Sequence, residues 1–303
     1  MTKYTGIWPV APTPFHEDGT LDREGMKRVL DCLIDQGADG ICILANFSEQ
    51  FLLSDAEREV LTRLCLEHVA GRVPMIVTIS HYATQIAVER ARFAKDHGAD
   101  IVMMMPPYHG ALLKGTPEQS FEQFAAVGKV GIPIMVQDAP LSGVDLPVSL
   151  LVRMAKEIEA VKLFKIECPR AANKIRALIA EGGDAIEGPF DGEEGITLLA
   201  DLDAGATGAM TSGMIVDQIK PVLTHHRAGR IDEATAAYGR VAMAINHENR
   251  QCGWQSCKAA MVEGGVITSE FCRHPIAPLH PAIRARMIDL LRPLDPIVLS
   301  WGK

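Results

Sequence analysis

The chain has 303 residues, 48% hydrophobic and 22% charged, which is material for one large core; an α/β barrel often uses this length in a single domain. Its formal net charge of -8, with both signs mixed along the chain and no basic cluster, excludes the footprint of a nucleic-acid partner. Seven scattered cysteines without a Cys-x-x-Cys exclude a disulfide framework or zinc motif, and no run approaches the ~20 apolar residues of a membrane span. The first residues also lack the apolar region of a leader, so the expected compartment is the cytoplasm, with no membrane partner.

Short runs rich in Val, Ile and Met alternate with amphipathic segments of helical length, the pattern of βα units around a parallel sheet. Strands are expected at 6–10, 40–44, 74–79, 101–105, 133–137, 161–167, 185–188 and 208–211. Helices are expected between them at 22–36, 54–69, 84–96, 117–127, 147–158, 172–180, 193–203 and 216–227. Asp22 and Gly37 bound the first helix, and Ser54 to Glu57 reads as a capping box for the second. Gly37-Ala38-Asp39, Gly98-Ala99-Asp100 and Gly205-Ala206-Thr207 read as left-handed helix ends turning into strands. Eight strand–helix units predict a (β/α)8 TIM barrel over 1–229, with additional C-terminal helices at 231–246, 256–263 and 281–292 packed on it as an extension over 230–303. No Gly-x-Gly-x-x-Gly follows the first strand, which disfavours a dinucleotide fold; no cofactor is expected.

In such a barrel chemistry sits at the C-terminal ends of the strands. The segment 161–167, Val-Lys-Leu-Phe-Lys-Ile-Glu, stands out, because alternation puts Leu163, Lys165 and Glu167 on one face of an otherwise apolar strand. Burying that pair is costly unless the groups pair, change protonation or meet a ligand; the bland alternative is a solvated strand end with a snorkelling lysine. An amine ringed by apolar strands is expected to have a lowered pKa and to attack a carbonyl. A charged Glu167 would oppose that shift, so Glu167 is expected to be protonated or held off the amine. No metal-ligand spacing and no Gly-x-Ser-x-Gly elbow occur, so no metal is expected. Ser48 lacks a local base and reads as a loop hydrogen-bonding group. His247 to Arg250 lies beyond strand eight and reads as a polar patch packing an extra helix.

Gly6, Pro9, Thr13-Pro14-Phe15, the Asn46 to Glu49 loop, Pro107-Tyr108, Phe164-Lys165 and Gly192-Glu193 fall in an order that resembles the dihydrodipicolinate synthase and N-acetylneuraminate lyase superfamily. The resemblance covers nearly the whole chain. Within it, Ala45-Asn46-Phe47-Ser48-Glu49, Gln137-Asp138-Ala139-Pro140 and Phe164-Lys165-Ile166-Glu167 are similar to a branch that dehydrates 2-keto-3-deoxy sugar acids.

The resemblance implies a Schiff-base lysine at Lys165. It also implies a small-molecule 2-keto-3-deoxy sugar acid as partner and a homo-oligomer built as a dimer of dimers. Where the aldolases place a tyrosine after strand five, this chain has Gln137, whose amide has no useful basicity and would orient substrate or water. Dehydration would then use Glu167 as base toward C3 and as acid toward the C4 hydroxyl in turn, giving 2,5-dioxopentanoate from a five-carbon acid. Asn46, Phe47 and Ser48 are expected to hold the carboxylate or merely to close their loop. His81 and Tyr82 are expected to line the pocket or form a lid. Tyr108 would reach a neighbouring subunit's site or pack at a dimer interface. Asp191 and Glu193 are expected to open a helix, with Glu193 and Thr211 near the substrate. The alternatives are an aldolase releasing pyruvate and a keto-acid-sensing barrel without turnover.

Overall fold

The computed structural model describes residues 4–303; residues 1–3, the start of the segment read as lacking a leader, lie outside the described residues. The apolar runs form β1 (Gly6–Ile7), β2 (Ile41–Ile43), β3 (Met75–Thr78), β4 (Ile101–Met104), β7 (Ile134–Asp138), β8 (Val161–Ile166), β9 (Gly188–Asp191) and β10 (Gly208–Ala209). They make one eight-stranded sheet in the order β1-β10-β9-β8-β7-β4-β3-β2, every pairing parallel. The sheet curls, and beyond β1 Val10 bridges both Cys42 of β2 and Ser212, an arrangement consistent with a TIM barrel. A short antiparallel hairpin of β5 (Tyr108–His109) and β6 (Leu113–Lys114), turning at Gly110 with φ 61°, was not expected.

Outside the sheet lie α1 (Arg23–Asp35), α2 (Asp55–Val69), α3 (Thr84–Asp96), α4 (Pro117–Gly128), α5 (Val148–Glu157), α6 (Ala171–Gly182), α7 (Leu198–Asp203) and α8 (Val216–Arg227). The C-terminal helices α9 (Ile231–His247), α10 (Ser256–Glu263) and α11 (Pro281–Leu291) follow. The sequence signals act as read: the Asp22 carboxylate accepts from the Gly25 N–H at 2.8 Å, and Ser54 and Glu57 close a reciprocal capping box. Gly37, Gly98 and Gly205 take φ of 85°, 90° and 101°. Two residues further on, Asp39 and Asp100 each accept a neighbouring strand's backbone N–H, from Ile7 at 2.9 Å and Met75 at 2.8 Å. The recurring Gly-Ala-Asp is thus a helix stop joined to a strand clasp.

Two expectations are displaced. Strand seven starts at Gly188 rather than 185, so Asp191 ends β9 instead of opening a helix, and α7 begins only at Leu198. Glu194 and Gly195 intervene with φ of 55° and 88°, conformations no helix continues through.

Side chains sort by face. Trp8, Cys42, Ile76, Met103, Met135, Leu163, Phe190 and Met210 meet inside the curl, whereas Val161, Phe164 and Ile166 join the cluster under the helices. Val161 and Leu163 fall on opposite faces because β8 shifts register there: Ile134 pairs with Val161, but Met135 pairs with Leu163. This bulge re-phases the strand so that Lys165 and Glu167 follow Leu163 toward the interior. Trp8 meets Phe190 edge-on at 6.0 Å, and Gly40 and Gly208 leave the room: a Cβ on either would approach those rings to 2.4 and 2.7 Å.

At Gly205 a Cβ would come within 2.7 Å of Ile179, on a backbone side chains rarely adopt. Gly205→Ala is expected to lower stability by about 1–3 kcal/mol in urea denaturation.

Candidate active site

A cavity of about 240 Å³ opens at the C-terminal ends of the strands. Lys165 lies in its wall, 4% exposed, over the apolar interior cluster. Its Nζ stands 2.5 Å from Glu167 Oε1, and the same oxygen accepts from Gln137 Nε2 at 2.8 Å. Residues 137 and 165 are register partners on β7 and β8, which brings the amide to the carboxylate. The close packing depends on Gly192, where a Cβ would meet Glu167 Cγ at 2.6 Å and Lys165 Cγ at 2.9 Å.

This corrects the expected electrostatics. Burial pulls the Lys165 pKa down, but the charges of Glu167 and Glu194 outweigh it, so the pKa is raised above its ordinary value. Glu167 is not held off the amine; the resting lysine is an ammonium in an ion pair.

Other expected residues divide. Asn46, Phe47 and Glu193 line the lysine's cavity. Asn46 Oδ1 accepts from Gln50 Nε2 at 2.7 Å, while the backbone N–H groups of Asn46 and Phe47 meet no acceptor among the described residues. The Ser48 hydroxyl closes the loop, donating to Ala11 O at 2.7 Å and accepting from the Ala45 N–H at 3.2 Å. Thr211 is buried, with its hydroxyl donating to Ser212 O at 2.8 Å, and lies outside the cavity lining. Asp191 neighbours the inward Phe190 and faces the opposite side; burial and the carboxylate of Asp201 push its pKa well up.

His81, Tyr82 and Tyr108 line a separate, adjoining cavity of about 570 Å³, with Leu141 common to both. His81 Nδ1 accepts from the Ala83 N–H at 2.9 Å ahead of α3. The Tyr108 hydroxyl is buried without a partner, and burial plus the charge of Glu167 raise its pKa to about 12. It thus lies within the electrostatic reach of the pair but belongs to the next chamber.

Three contributors were not anticipated. Glu194, next to the expected Glu193, is buried in the cavity wall; burial first, then the charges of Glu167 and Glu248, raise its pKa to about 8 against the lowering pull of Lys165. Its Oε2 accepts from Asn249 Nδ2 at 2.9 Å, and Trp254 completes the wall. Asn249 belongs to the patch read as helix packing; a wider π-type turn over Glu248–Cys252 swings it to the site instead. The sequence signal was Gly195 after two acids, a mark of the left-handed turn that carries Glu194 inward. Two carboxyls here differ in surroundings: Glu167 accepts from an ammonium and an amide, whereas Glu194 has one amide donor. Such asymmetry separates a base from an acid.

Residues 3–293 match the Dihydrodipicolinate synthetase family. The chain is 58% identical over 301 residues to the L-2-keto-3-deoxyarabonate dehydratase of Azospirillum brasilense, covering 99% of this chain and 97% of that protein. It is 29% identical over 282 residues to the 4-hydroxy-tetrahydrodipicolinate synthase of Acidiphilium cryptum, covering 91% and 93%. An Escherichia coli K12 prophage protein of the dihydrodipicolinic acid synthase family, solved in complex with pyruvate, superposes with a TM-score of 0.85 at 24% identity, over 97% and 99% of the two chains only where the fold is concerned.

A carboxyl whose pKa rises on folding contributes stability that is full below its ordinary value of 4.5 and is lost as pH climbs through its folded value of about 8. Stability to urea is therefore expected to fall between about pH 5 and pH 8. Glu194→Gln, which keeps an acceptor for Asn249, is expected to flatten that fall in denaturation curves taken across the range.

Proposed function

This chain belongs to the dihydrodipicolinate synthetase family, and on that premise we propose that it is a Schiff-base hydro-lyase. It dehydrates L-2-keto-3-deoxyarabonate to 2,5-dioxopentanoate, a step of non-phosphorylative pentose catabolism. The observation that carries the reading is the meeting of Lys165 Nζ and Gln137 Nε2 on one oxygen of Glu167. A carboxylate beside the amine supplies a base for C3. An amide in place of a phenol leaves no base at that position for the C4 hydroxyl proton that aldol cleavage must remove.

The steps follow from this. Glu167 takes a proton from the Lys165 ammonium, and the free amine adds to the C2 ketone. Glu167 returns the proton to the carbinolamine hydroxyl, which leaves as water, and the iminium acidifies C3. Glu167 then removes a C3 proton; the enamine electrons expel the C4 hydroxyl, protonated by Glu194, as a second water. Ionised Glu194 takes a proton from C5, Glu167 restores one to C3, and the resulting C5 enol becomes the aldehyde. Hydrolysis of the iminium frees Lys165. The unpartnered N–H groups of Asn46 and Phe47 hold the substrate carboxylate. Gln137 Oε1, buried without a partner, accepts from a substrate hydroxyl.

Around this centre the reading is of a closed (β/α)8 barrel over 1–229 whose 230–303 extension completes the site. Phe51, Tyr82, Leu112 and Leu141 are large exposed apolar side chains around the hairpin and the adjoining cavity, which supports assembly of identical subunits, as a dimer of dimers, through that surface. Seven free cysteines, five of them buried, accord with a reducing cytoplasm, and among the described residues no helix is long and apolar enough to cross a membrane.

Incubation with L-2-keto-3-deoxyarabonate is expected to give 2,5-dioxopentanoate, identified by mass spectrometry after hydrazone formation; pyruvate as product would point to the aldolase instead. Borohydride with the keto acid should attach the substrate to Lys165, and Lys165→Ala should lose both trapping and turnover. Glu194→Gln should retain trapping while kcat drops by about 10²–10⁴-fold. Retention of full turnover in Glu194→Gln would return the acid role to Glu167.

A further inference from the structure

A second buried ion pair lies outside the lysine's cavity. Glu49 ends the short turn Asn46–Ser48 at φ 58°, a left-handed backbone that a residue with a side chain keeps only when it is held. Its carboxylate meets the ammonium of Lys258, which comes from α10, 209 positions later; both side chains are 0% exposed. Lys258 also donates to Phe271 O at 2.9 Å and stands 4.5 Å from the centre of the Phe15 ring. From the same C-terminal stretch, the Arg273 N–H reaches the other Glu49 oxygen at 3.4 Å. The Arg273 guanidinium donates to Leu52 O at 2.8 Å and lies 4.3 Å over Phe15. Three segments, the loops after β1 and β2 and the C-terminal extension, are thus tied at one point.

Two charges removed wholly from water are a poor source of stability, since an apolar pair of similar volume often serves as well. What this pair supplies is direction. It fixes Glu49, the residue that terminates the 46–48 turn, and with it the place of Asn46 and Phe47 in the wall of the lysine's cavity. We propose that Lys258 is a positioning residue of this site: through Glu49 it holds the turn that receives the carboxylate of a 2-keto acid. The inference rests on the reading of that turn given under the proposed function.

The test is borohydride trapping of Lys165 with pyruvate and, separately, with methyl pyruvate, which offers the same ketone without a carboxylate. In the native protein pyruvate is expected to half-saturate trapping at a concentration at least about tenfold below that of the ester. In the paired variant Lys258→Met with Glu49→Gln, which leaves no lone buried charge, the pyruvate value should rise by about tenfold while the ester's stays within about twofold. Turnover should show the same division, KM rising and kcat nearly kept. A folded paired variant that keeps the native preference for pyruvate overturns the proposal. Should the paired variant fail to fold, Glu49→Gln alone, which retains the shape of the side chain, carries the test: a smaller loss of preference supports the proposal and an unchanged preference overturns it. If the native protein itself makes no distinction between the two probes, the carboxylate reading of the turn falls, and this inference with it, while Lys165 trapping by either probe leaves the Schiff base standing.

Discussion

A lysine ammonium and a glutamate 2.5 Å apart at the head of an apolar column impose the arrangement around them. Neither charge is affordable there alone, since desolvation of a single ion costs several kcal/mol. Together they form a proton pair that needs only a carbonyl to shift the proton across. Gln137 steadies the acceptor oxygen, Gly192 permits the approach, and the bulge at the start of β8 turns both side chains inward. The lysine's reactivity therefore does not come from a lowered pKa. On the proposed reading it comes from Glu167, 2.5 Å away, taking the proton when the ketone arrives.

The second acid gives the site its asymmetry. Glu194 is carried on a left-handed turn, buried deeply enough to keep its proton near neutrality, and held by Asn249. Asn249, Trp254 and Lys258 all come from beyond residue 229, so the last helices are a wall of the chamber and a brace for it. The division at 229 and 230 marks where strand–helix alternation ends, and the site spans it.

Much of this was legible in the residues. Period-two alternation put Lys165 and Glu167 on one face with Leu163, and the Asp22 and Ser54 caps and the Gly-Ala-Asp turns were visible as local chemistry whose partners lie within a few positions. What escaped reading depended on distance or on phase. The bulge between Val161 and Leu163 shows only in pairing with β7, and the burial of Glu194 beside the expected Glu193 turns on one left-handed residue. His81 and Tyr82 follow β3 at the expected rim, yet that rim is divided into two chambers, and sequence order does not tell which one a side chain enters. The pairing of Glu49 with Lys258 joins loops that no local pattern connects.

The crossing of Trp8 and Phe190, with Gly40 and Gly208 making room for it, fills the inside of the curl beside the lysine, since Phe190 is the register partner of Lys165. Ring packed against ring next to the amine leaves that side of the wall little room to give, so trimming Phe190 to a smaller side chain would be felt first in the seat of the ammonium.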